Sequence, residues 1–174
     1  MKLLAFAASS SSQSINKQLA TYAASLVENA DVEILDINEY EMPIYSSDRE
    51  AELGHPQQAK QFYAKLGEAD AIIISFAEHN GAYTAAYKNL FDWTSRIDMK
   101  VFQNKPMVLL STSPGPGGAA NVLAAAVGSA PYFAADVKAH LSIPSFFDNF
   151  DPQSGIVTNP ELQDKLATAI SLLA

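Results

Sequence analysis

The stretch DAIIISF, residues 70–76, decides the fold of this chain. It holds three consecutive isoleucines and shows no alternation of apolar and polar residues. A short continuous apolar run of this kind predicts a strand that is buried on both faces, as in a parallel sheet covered by helices. The run KLLAFAA at residues 2–8 has the same character and predicts a second strand of this type.

Working outward from these two runs, apolar segments alternate with segments of helical period. We predict strands over residues 2–8, 32–37, 70–76, 106–112 and 136–143, and helices marked by residues 19–27, 59–66, 83–96, 119–133 and a last one that begins near 158–161. The polar segments 38–55 and 144–158, which carry prolines and glycines, are predicted to be loops or irregular. Five β-then-α units predict an α/β fold in which helices cover both faces of a parallel sheet. Because no repeat or linker divides the chain, we expect one domain over residues 1–174.

Composition excludes several classes of protein and site. The 174 residues are 48% hydrophobic, and 11 basic against 19 acidic residues give a net charge of −8, which argues against binding to nucleic acid or to anionic membranes. The absence of cysteine excludes disulfides, iron–sulfur clusters, thiolate zinc sites and cysteine nucleophiles. The three histidines lie far apart in sequence, no apolar run reaches membrane-spanning length, and the chain begins directly with a strand. We therefore expect a soluble, cytoplasmic protein without a metal site.

Ligands of parallel sheets bind outside the carboxyl ends of the strands, near the switch in strand order. That rule directs attention to three loops, at residues 8–16, 77–83 and 113–118. The first, AASSSSQSIN, joins a buried strand to a helix start, so its hydroxyls and the N–H groups of the helix form a compact set of donors for a phosphate monoester. The alternative is a flexible serine-rich turn in which Ser14 merely caps the helix.

Other ways of binding nucleotides, and other catalytic motifs, are absent from the same positions. The chain has no GxxxxGK[ST], no GxGxxG after the first strand, no acidic cluster typical of a phosphoacceptor domain and no GxSxG. The second loop offers Glu78, His79, Asn80 and Gly81 directly after the strongest strand. The third, SPGPGG at 113–118, is rigid and built of small residues, so it can lie flat against a planar ring. Each of the two loops also reads as an ordinary turn.

Two segments together resemble a known family. Residues 78–81 (EHNG), followed by YKNLFDWTSR at 87–96, are similar to the P-E-Y-N-x-S and L-K-N-A-x-D-W-x-S-R segments of NAD(P)H-dependent FMN reductases. SPGPGG resembles the S-P-G-x-x-G-G loop of that family. The first loop, residues 8–16, which we call the serine loop, resembles its G-S-x-R-x-x-S-x-N segment. The resemblance implies a flavodoxin-like three-layer α/β/α sandwich with a five-stranded parallel sheet of order 2-1-3-4-5.

Carried over position by position, the resemblance implies a set of FMN-binding residues. The phosphate group would be held by Ser9, Ser11, Ser14, Ile15 (mainly through its backbone) and Asn16. The isoalloxazine would be lined, largely through backbone groups, by Glu78, His79, Asn80 and Gly81, and closed on its other side by Ser113, Pro114 and Gly115. The chain departs from the family pattern at several of these positions. Ser11 stands where the family has an arginine and His79 where it has a tyrosine. Lys88, Asn89, Asp92 and Arg96 are not expected to be catalytic, although Lys88 and Asp92 could pair at i, i+4.

The resemblance therefore implies an FMN-dependent oxidoreductase. NADPH or NADH would reduce the flavin, which would pass electrons to a small acceptor such as a quinone, an azo dye, a metal oxyanion or free flavin. No catalytic side chain is implied, since the protein binds and orients the cofactor. Two alternatives stay open: a flavodoxin-type FMN electron carrier and an interaction module without flavin. The aromatic helix 83–96 and the resemblance predict a homodimer or homotetramer.

Overall fold

The computed structural model describes residues 1–173 and contains a central sheet of five parallel strands in the order β2-β1-β3-β6-β7. These strands are β1 Lys2–Ala8, β2 Asp31–Leu35, β3 Ala71–Phe76, β6 Pro106–Thr112 and β7 Asp136–Ile143. The two remaining sheets are hairpins of two-residue strands, β4 Glu78–His79 with β5 Ala82–Tyr83 and β8 Phe150–Asp151 with β9 Ile156–Val157. Counting only the five long strands gives the predicted flavodoxin-like order, which is confirmed.

Helices cover both faces of the sheet. They are α1 Ile15–Ser25, α2 Ser47–Leu53, α3 Gln57–Glu68, α4 Ala85–Ile97, α5 Ala120–Ser129, α6 Phe146–Asn149 and α7 Pro160–Ser171, with 3₁₀ turns at Ile37–Tyr40 and Ala130–Phe133. Alternate residues of each central strand face opposite layers, so the core divides in two. Leu4 and Phe6 pack on the face of α3, α4 and α5, whereas Leu3 and Ala5 pack on the face of α1 and α7.

Two segments that were predicted to be loops or irregular contain regular structure. Residues 38–55 include the 3₁₀ turn and α2, and residues 144–158 include α6 and the β8–β9 hairpin. Helix α2 buries no residue, so it has no apolar stripe by which the sequence could reveal it. It is capped by Ser46 and attached to α4 by an ion pair of 3.0 Å between Glu50 and Arg96.

The aromatic residues of α4 are used mainly inside the chain. Tyr87 and Trp93 are buried, and Phe91 packs edge-to-face on Phe133 with ring centroids 4.6 Å apart. The excess aromatic surface on which the predicted oligomer partly rested is therefore largely absent. Lys88 and Asp92 form the anticipated i, i+4 pair at 2.7 Å.

Residues 1–173 lack two features that would point to a membrane or a metal ion. None of the helices there is long and apolar enough to cross a membrane. The same residues contain no group of three or more histidines and carboxylates that could hold a metal ion.

Candidate functional site

Three loops meet at the carboxyl ends of the parallel strands. They are residues 9–14 after β1, 77–84 after β3 and 113–119 after β6. The loops are joined by hydrogen bonds that span large sequence separations. The Thr84 hydroxyl donates to the Ala8 carbonyl at 3.1 Å, and the Asn16 amide donates to the Thr112 carbonyl at 3.1 Å. The predicted convergence of the three loops is therefore present, at the switch point between β1 and β3.

In the serine loop, three hydroxyl oxygens accept hydrogen bonds from backbone N–H groups two or three residues further along the chain. Ser9 Oγ accepts from the Ser11 N–H at 3.3 Å, and Ser11 Oγ accepts from the Gln13 N–H at 3.2 Å. Ser14 Oγ accepts from the Lys17 N–H at 3.1 Å and so caps α1. None of these three hydroxyls donates a hydrogen bond to another group within residues 1–173. Each therefore keeps its proton for an outside acceptor, and the loop as a whole is rich in donors.

The start of α1 adds backbone donors of the same kind. Ile15 and Asn16 occupy the first two helical positions, where N–H groups have no acceptor within the helix. The first turn holds no acidic side chain, so the positive end of the helix dipole is not neutralised there. Lys17, the nearest cation, is already paired with Asp36 at 2.8 Å. Neutral donors and the helix dipole are thus the main attraction that this loop offers to an anion.

The structure corrects the part expected of the Asn16 side chain. This residue is 2% exposed, and its Oδ1 accepts from Ser75 Oγ at 2.7 Å and from the Thr112 N–H at 3.1 Å. Its amide nitrogen donates to Thr112 O, so the side chain fastens α1 to β3 and β6. A side chain that is buried and committed in this way does not reach a phosphate, and Asn16 can contribute only its backbone N–H.

The second loop, predicted as a loop without strands, is a tight hairpin of β4 and β5. Asn80 and Gly81 form its turn, with φ of 54° and 77°. Two successive positive φ angles suit asparagine followed by glycine, which is the commonest sequence of a two-residue hairpin turn. The dipeptide Asn80-Gly81 is therefore the feature of the sequence from which this hairpin could have been predicted. The hairpin makes the backbone of residues 78–81 a defined surface at the edge of the sheet.

The Glu78 carboxylate forms a hydrogen bond with the first turn of α5. It accepts from the Val122 N–H at 2.8 Å, in the first turn of that helix. The residue before α5 is Ala119, in the left-handed conformation, and its side chain cannot cap the helix. Glu78 therefore supplies the missing cap from a different loop and ties the hairpin to α5. The His79 imidazole, in contrast, is exposed and makes no hydrogen bond or ion pair within residues 1–173.

The third loop is shaped by the connection that follows β7. The Gly115 carbonyl accepts from the Ser145 N–H at 2.9 Å, and the Ser113 carbonyl accepts from the Phe146 N–H at 3.0 Å. A side chain at Gly118 would place its Cβ 2.2 Å from Ser142 Oγ, so this position requires glycine. At Gly115 a Cβ would meet nothing within 4 Å, which leaves that part of the loop open. Pro114 is exposed beside it.

Helix α4 supports the site by holding the segment 42–45, which we call the strap. Asn89 accepts from the Tyr45 N–H at 2.8 Å and donates to the carbonyls of Met42 and Pro43 at 3.1 Å. The Trp93 indole N–H also donates to the Pro43 carbonyl, at 2.8 Å. Sequence reasoning placed both residues in a recognisable motif, but nothing local indicated which backbone they hold.

Comparisons with known proteins agree with this arrangement. The model of the NADPH-dependent FMN reductase family matches residues 1–150. The chain is 32% identical over 121 residues to an NAD(P)H-dependent FMN reductase of Pseudomonas aeruginosa, covering 69% of this chain and 64% of that protein. It is 34% identical over 109 residues to a 2-hydroxy-1,4-benzoquinone reductase of a Burkholderia species, covering 62% and 57%. The chain thus spans less than two thirds of the length of these curated relatives.

A solved structure extends the fold match to nearly the whole chain. The NAD(P)H:(acceptor) oxidoreductase FerB of Paracoccus denitrificans superposes with a TM-score of 0.77 at 22% identity, covering 99% of this chain and 94% of that one. At this level of identity the likeness establishes the flavodoxin-like fold.

Proposed function

The chain belongs to the NADPH-dependent FMN reductase family, and we propose that it binds FMN at the three loops and uses NADPH or NADH to reduce a small acceptor. One observation carries this proposal: the serine loop presents several hydroxyl and backbone donors toward an outside acceptor, beside the positive end of a helix. A phosphate monoester matches that donor set, because its oxygens accept hydrogen bonds and carry negative charge.

The phosphate of FMN would be held by hydroxyls and backbone groups of the first loop. Ser9, Ser11 and Ser14 would donate through their hydroxyls, and Ile15 and Asn16 through their backbone N–H groups. Ser11 stands where the family arginine is expected, so this loop would hold the phosphate without a guanidinium. We therefore expect FMN affinity to depend strongly on the hydroxyls and weakly on salt.

The isoalloxazine would be held between the second and third loops. On one side we assign the backbone of Glu78, His79, Asn80 and Gly81, and on the other Ser113, Pro114 and Gly115. Hydrogen bonds hold both loops in place. The Val122 N–H donates to the Glu78 carboxylate of the hairpin, and the N–H groups of residues 145–146 donate to carbonyls of the third loop. Rigid walls of this kind suit the binding of a flat ring, because little ordering is needed when it binds.

When bound, FMN supplies the redox chemistry: it takes up a hydride from reduced nicotinamide and passes electrons on to the second acceptor. The contribution of this chain is to bind and orient the flavin. We assign no general acid, general base or nucleophile, and quinones are the acceptor class that we favour. We also keep the predictions of a homodimer or homotetramer and of a cytoplasmic location, the first on the strength of family resemblance.

The decisive experiment begins with the visible spectrum of the purified protein, reconstituted with FMN where necessary. We expect a flavin spectrum, release of FMN on denaturation, and oxidation of NADPH or NADH that is accelerated by a benzoquinone. Flavin binding without nicotinamide oxidation would identify an electron carrier instead. Failure to bind either FMN or riboflavin would leave an interaction module, and either result would overturn the proposal.

A further inference from the structure

A second cavity lies between α4 and α5 on one face of the sheet, and Tyr83 of the second loop reaches its edge. Its volume is about 320 Å³, and neither the serine loop nor residues 113–119 line it. The floor is formed by β6, and aromatic side chains form the walls. The main lining residues are Phe76, Tyr87, Phe91, Met107, Leu109 and Phe133.

The size of this cavity is unusual for the interior of a small domain. Protein cores pack as densely as organic crystals and leave few voids larger than a water molecule. An engineered cavity of about 150 Å³ is enough to bind benzene, and the cavity here is about twice as large. Its volume lies at the lower end of the range of small-molecule pockets, roughly 300–1,000 Å³. A ligand of one or two rings would fill it.

The walls are organised rather than loosely packed. The Tyr87 and Phe76 rings meet edge-to-face at 5.4 Å, and Phe91 meets Phe133 at 4.6 Å in the same arrangement. At the rim, Lys88 and Asp92 neutralise one another in their ion pair of 2.7 Å. The site therefore offers aromatic faces and edges without net charge, which favours a neutral aromatic guest.

The Tyr87 hydroxyl supplies a specific contact. The residue is 4% exposed, yet its hydroxyl makes no hydrogen bond to any group in residues 1–173. No fully enclosed side-chain polar atom in that part of the chain lacks a partner, so this hydroxyl retains some accessible surface, and the residue that carries it lines the cavity. Burial raises the pKa of Tyr87, which keeps the group protonated and able to donate. Buried tyrosine hydroxyls usually have a partner.

We propose that the cavity between α4 and α5 binds a small neutral aromatic molecule whose oxygen accepts a hydrogen bond from Tyr87. Phenols of one or two rings have this chemistry. None of the residues assigned to FMN in the first, second and third loops lines this cavity, so the proposal does not depend on the flavin. Tyr83 of the hairpin reaches the edge of the cavity, and its hydroxyl lies 3.5 Å from Ser129 Oγ there.

The test is a calorimetric titration of the full chain, saturated with FMN where it binds, using phenol and toluene as probes. We expect both probes to bind, and Tyr87→Phe to weaken phenol about fivefold to tenfold while leaving toluene unchanged, as the loss of one hydrogen bond predicts. Tyr40→Phe is the matched control, because Tyr40 is a buried tyrosine on the same face that does not line the cavity. It should bind both probes as the unmodified chain does.

A cavity-filling variant locates the binding. Ala126 lines the cavity and is 5% exposed, so Ala126→Leu should abolish binding of both probes without lowering the thermal midpoint of unfolding. Undiminished phenol binding in that variant, or competition between phenol and FMN, would place the probe elsewhere and overturn the proposal. Failure of both probes to bind would also overturn it, and weakened self-association of Ala126→Leu would then identify a second copy of the chain as the occupant.

Discussion

Ser14 combines two functions that one pair of substitutions can separate. Its hydroxyl oxygen caps α1 by accepting from the Lys17 N–H at 3.1 Å, and its proton is assigned here to the phosphate of FMN. Ser14→Ala removes both interactions. Ser14→Asp removes only the second, since aspartate caps helices as well as serine does and its charge suits a helix N-terminus.

We expect Ser14→Ala to be the less stable of the two variants and Ser14→Asp to be the weaker binder of FMN. Loss of the cap should lower the free energy of unfolding of Ser14→Ala by about 1 kcal/mol, whereas Ser14→Asp should be as stable as the unmodified chain. Loss of one charge-assisted hydrogen bond costs about 1.5–3 kcal/mol, so Ser14→Ala should bind FMN roughly 10-fold to 100-fold more weakly. A carboxylate about 4 Å from a phosphate charge adds repulsion of about 4 kcal/mol, so Ser14→Asp should bind FMN still more weakly.

Urea unfolding of the flavin-free protein measures the first order, and titration of flavin fluorescence measures the second. Riboflavin lacks the phosphate and should bind all three proteins alike. Ser25→Ala, at the far end of the same helix, is the control and should bind FMN normally. The assignment is refuted if Ser14→Asp binds FMN as tightly as the unmodified chain, or if Ser14→Ala weakens FMN and riboflavin equally.

Three further predictions concern the supports of the site. Asn16→Ala should destabilise the chain by about 3 kcal/mol in urea unfolding, because it leaves buried backbone groups of the sheet without partners; a loss below about 1 kcal/mol would contradict the interior role given to this side chain. Asn89→Ala should speed exchange of the Tyr45 amide hydrogen, which Asn89 accepts at 2.8 Å, and unchanged protection would show that the strap holds itself. The hydrogen bond from Lys17 lowers the pKa of Asp36, so its contribution to stability is present above the ordinary carboxyl pKa and is lost as pH falls through the lowered folded value. Asp36→Asn should therefore cost less than about 1 kcal/mol at neutral pH and nothing in strong acid, as measured by urea unfolding at both pH values.

The central strands could be predicted closely because burial on both faces is a local property of their sequence. Residues 2–8 and 106–112 were predicted as strands and are buried strands with those bounds. The strand 136–143 also has the predicted bounds, although it lies at the edge of the sheet and is mostly half-buried or exposed. Helix α2 could not be predicted in the same way, because it is exposed on all sides and is held by Glu50 rather than by an apolar stripe.

The meeting of the three loops was predictable, whereas the partners of their side chains were not. The loops follow from strand order, but Asn16 bonds to Thr112, 96 residues away, and Glu78 to Val122, 44 residues away. A spacing within one loop carries no information about such partners. Asn16 was assigned to the phosphate from the sequence, whereas in the structure its side chain connects elements of the scaffold. The Glu78 side chain also connects such elements, and the contribution expected of this residue was largely that of its backbone.

The same distinction applies to the motif that carried the family resemblance. Asn89 and Trp93 hold the strap, so in this chain these two residues of the motif serve the framework of the fold. Ser11 and His79, where the chain departs from the family, are exposed residues, and the His79 side chain bonds to no part of the framework described by residues 1–173. Substitutions at such positions can change affinity and redox tuning without changing the fold. Family membership therefore predicts the shape of this cleft more securely than it predicts the affinity for FMN that we propose for it.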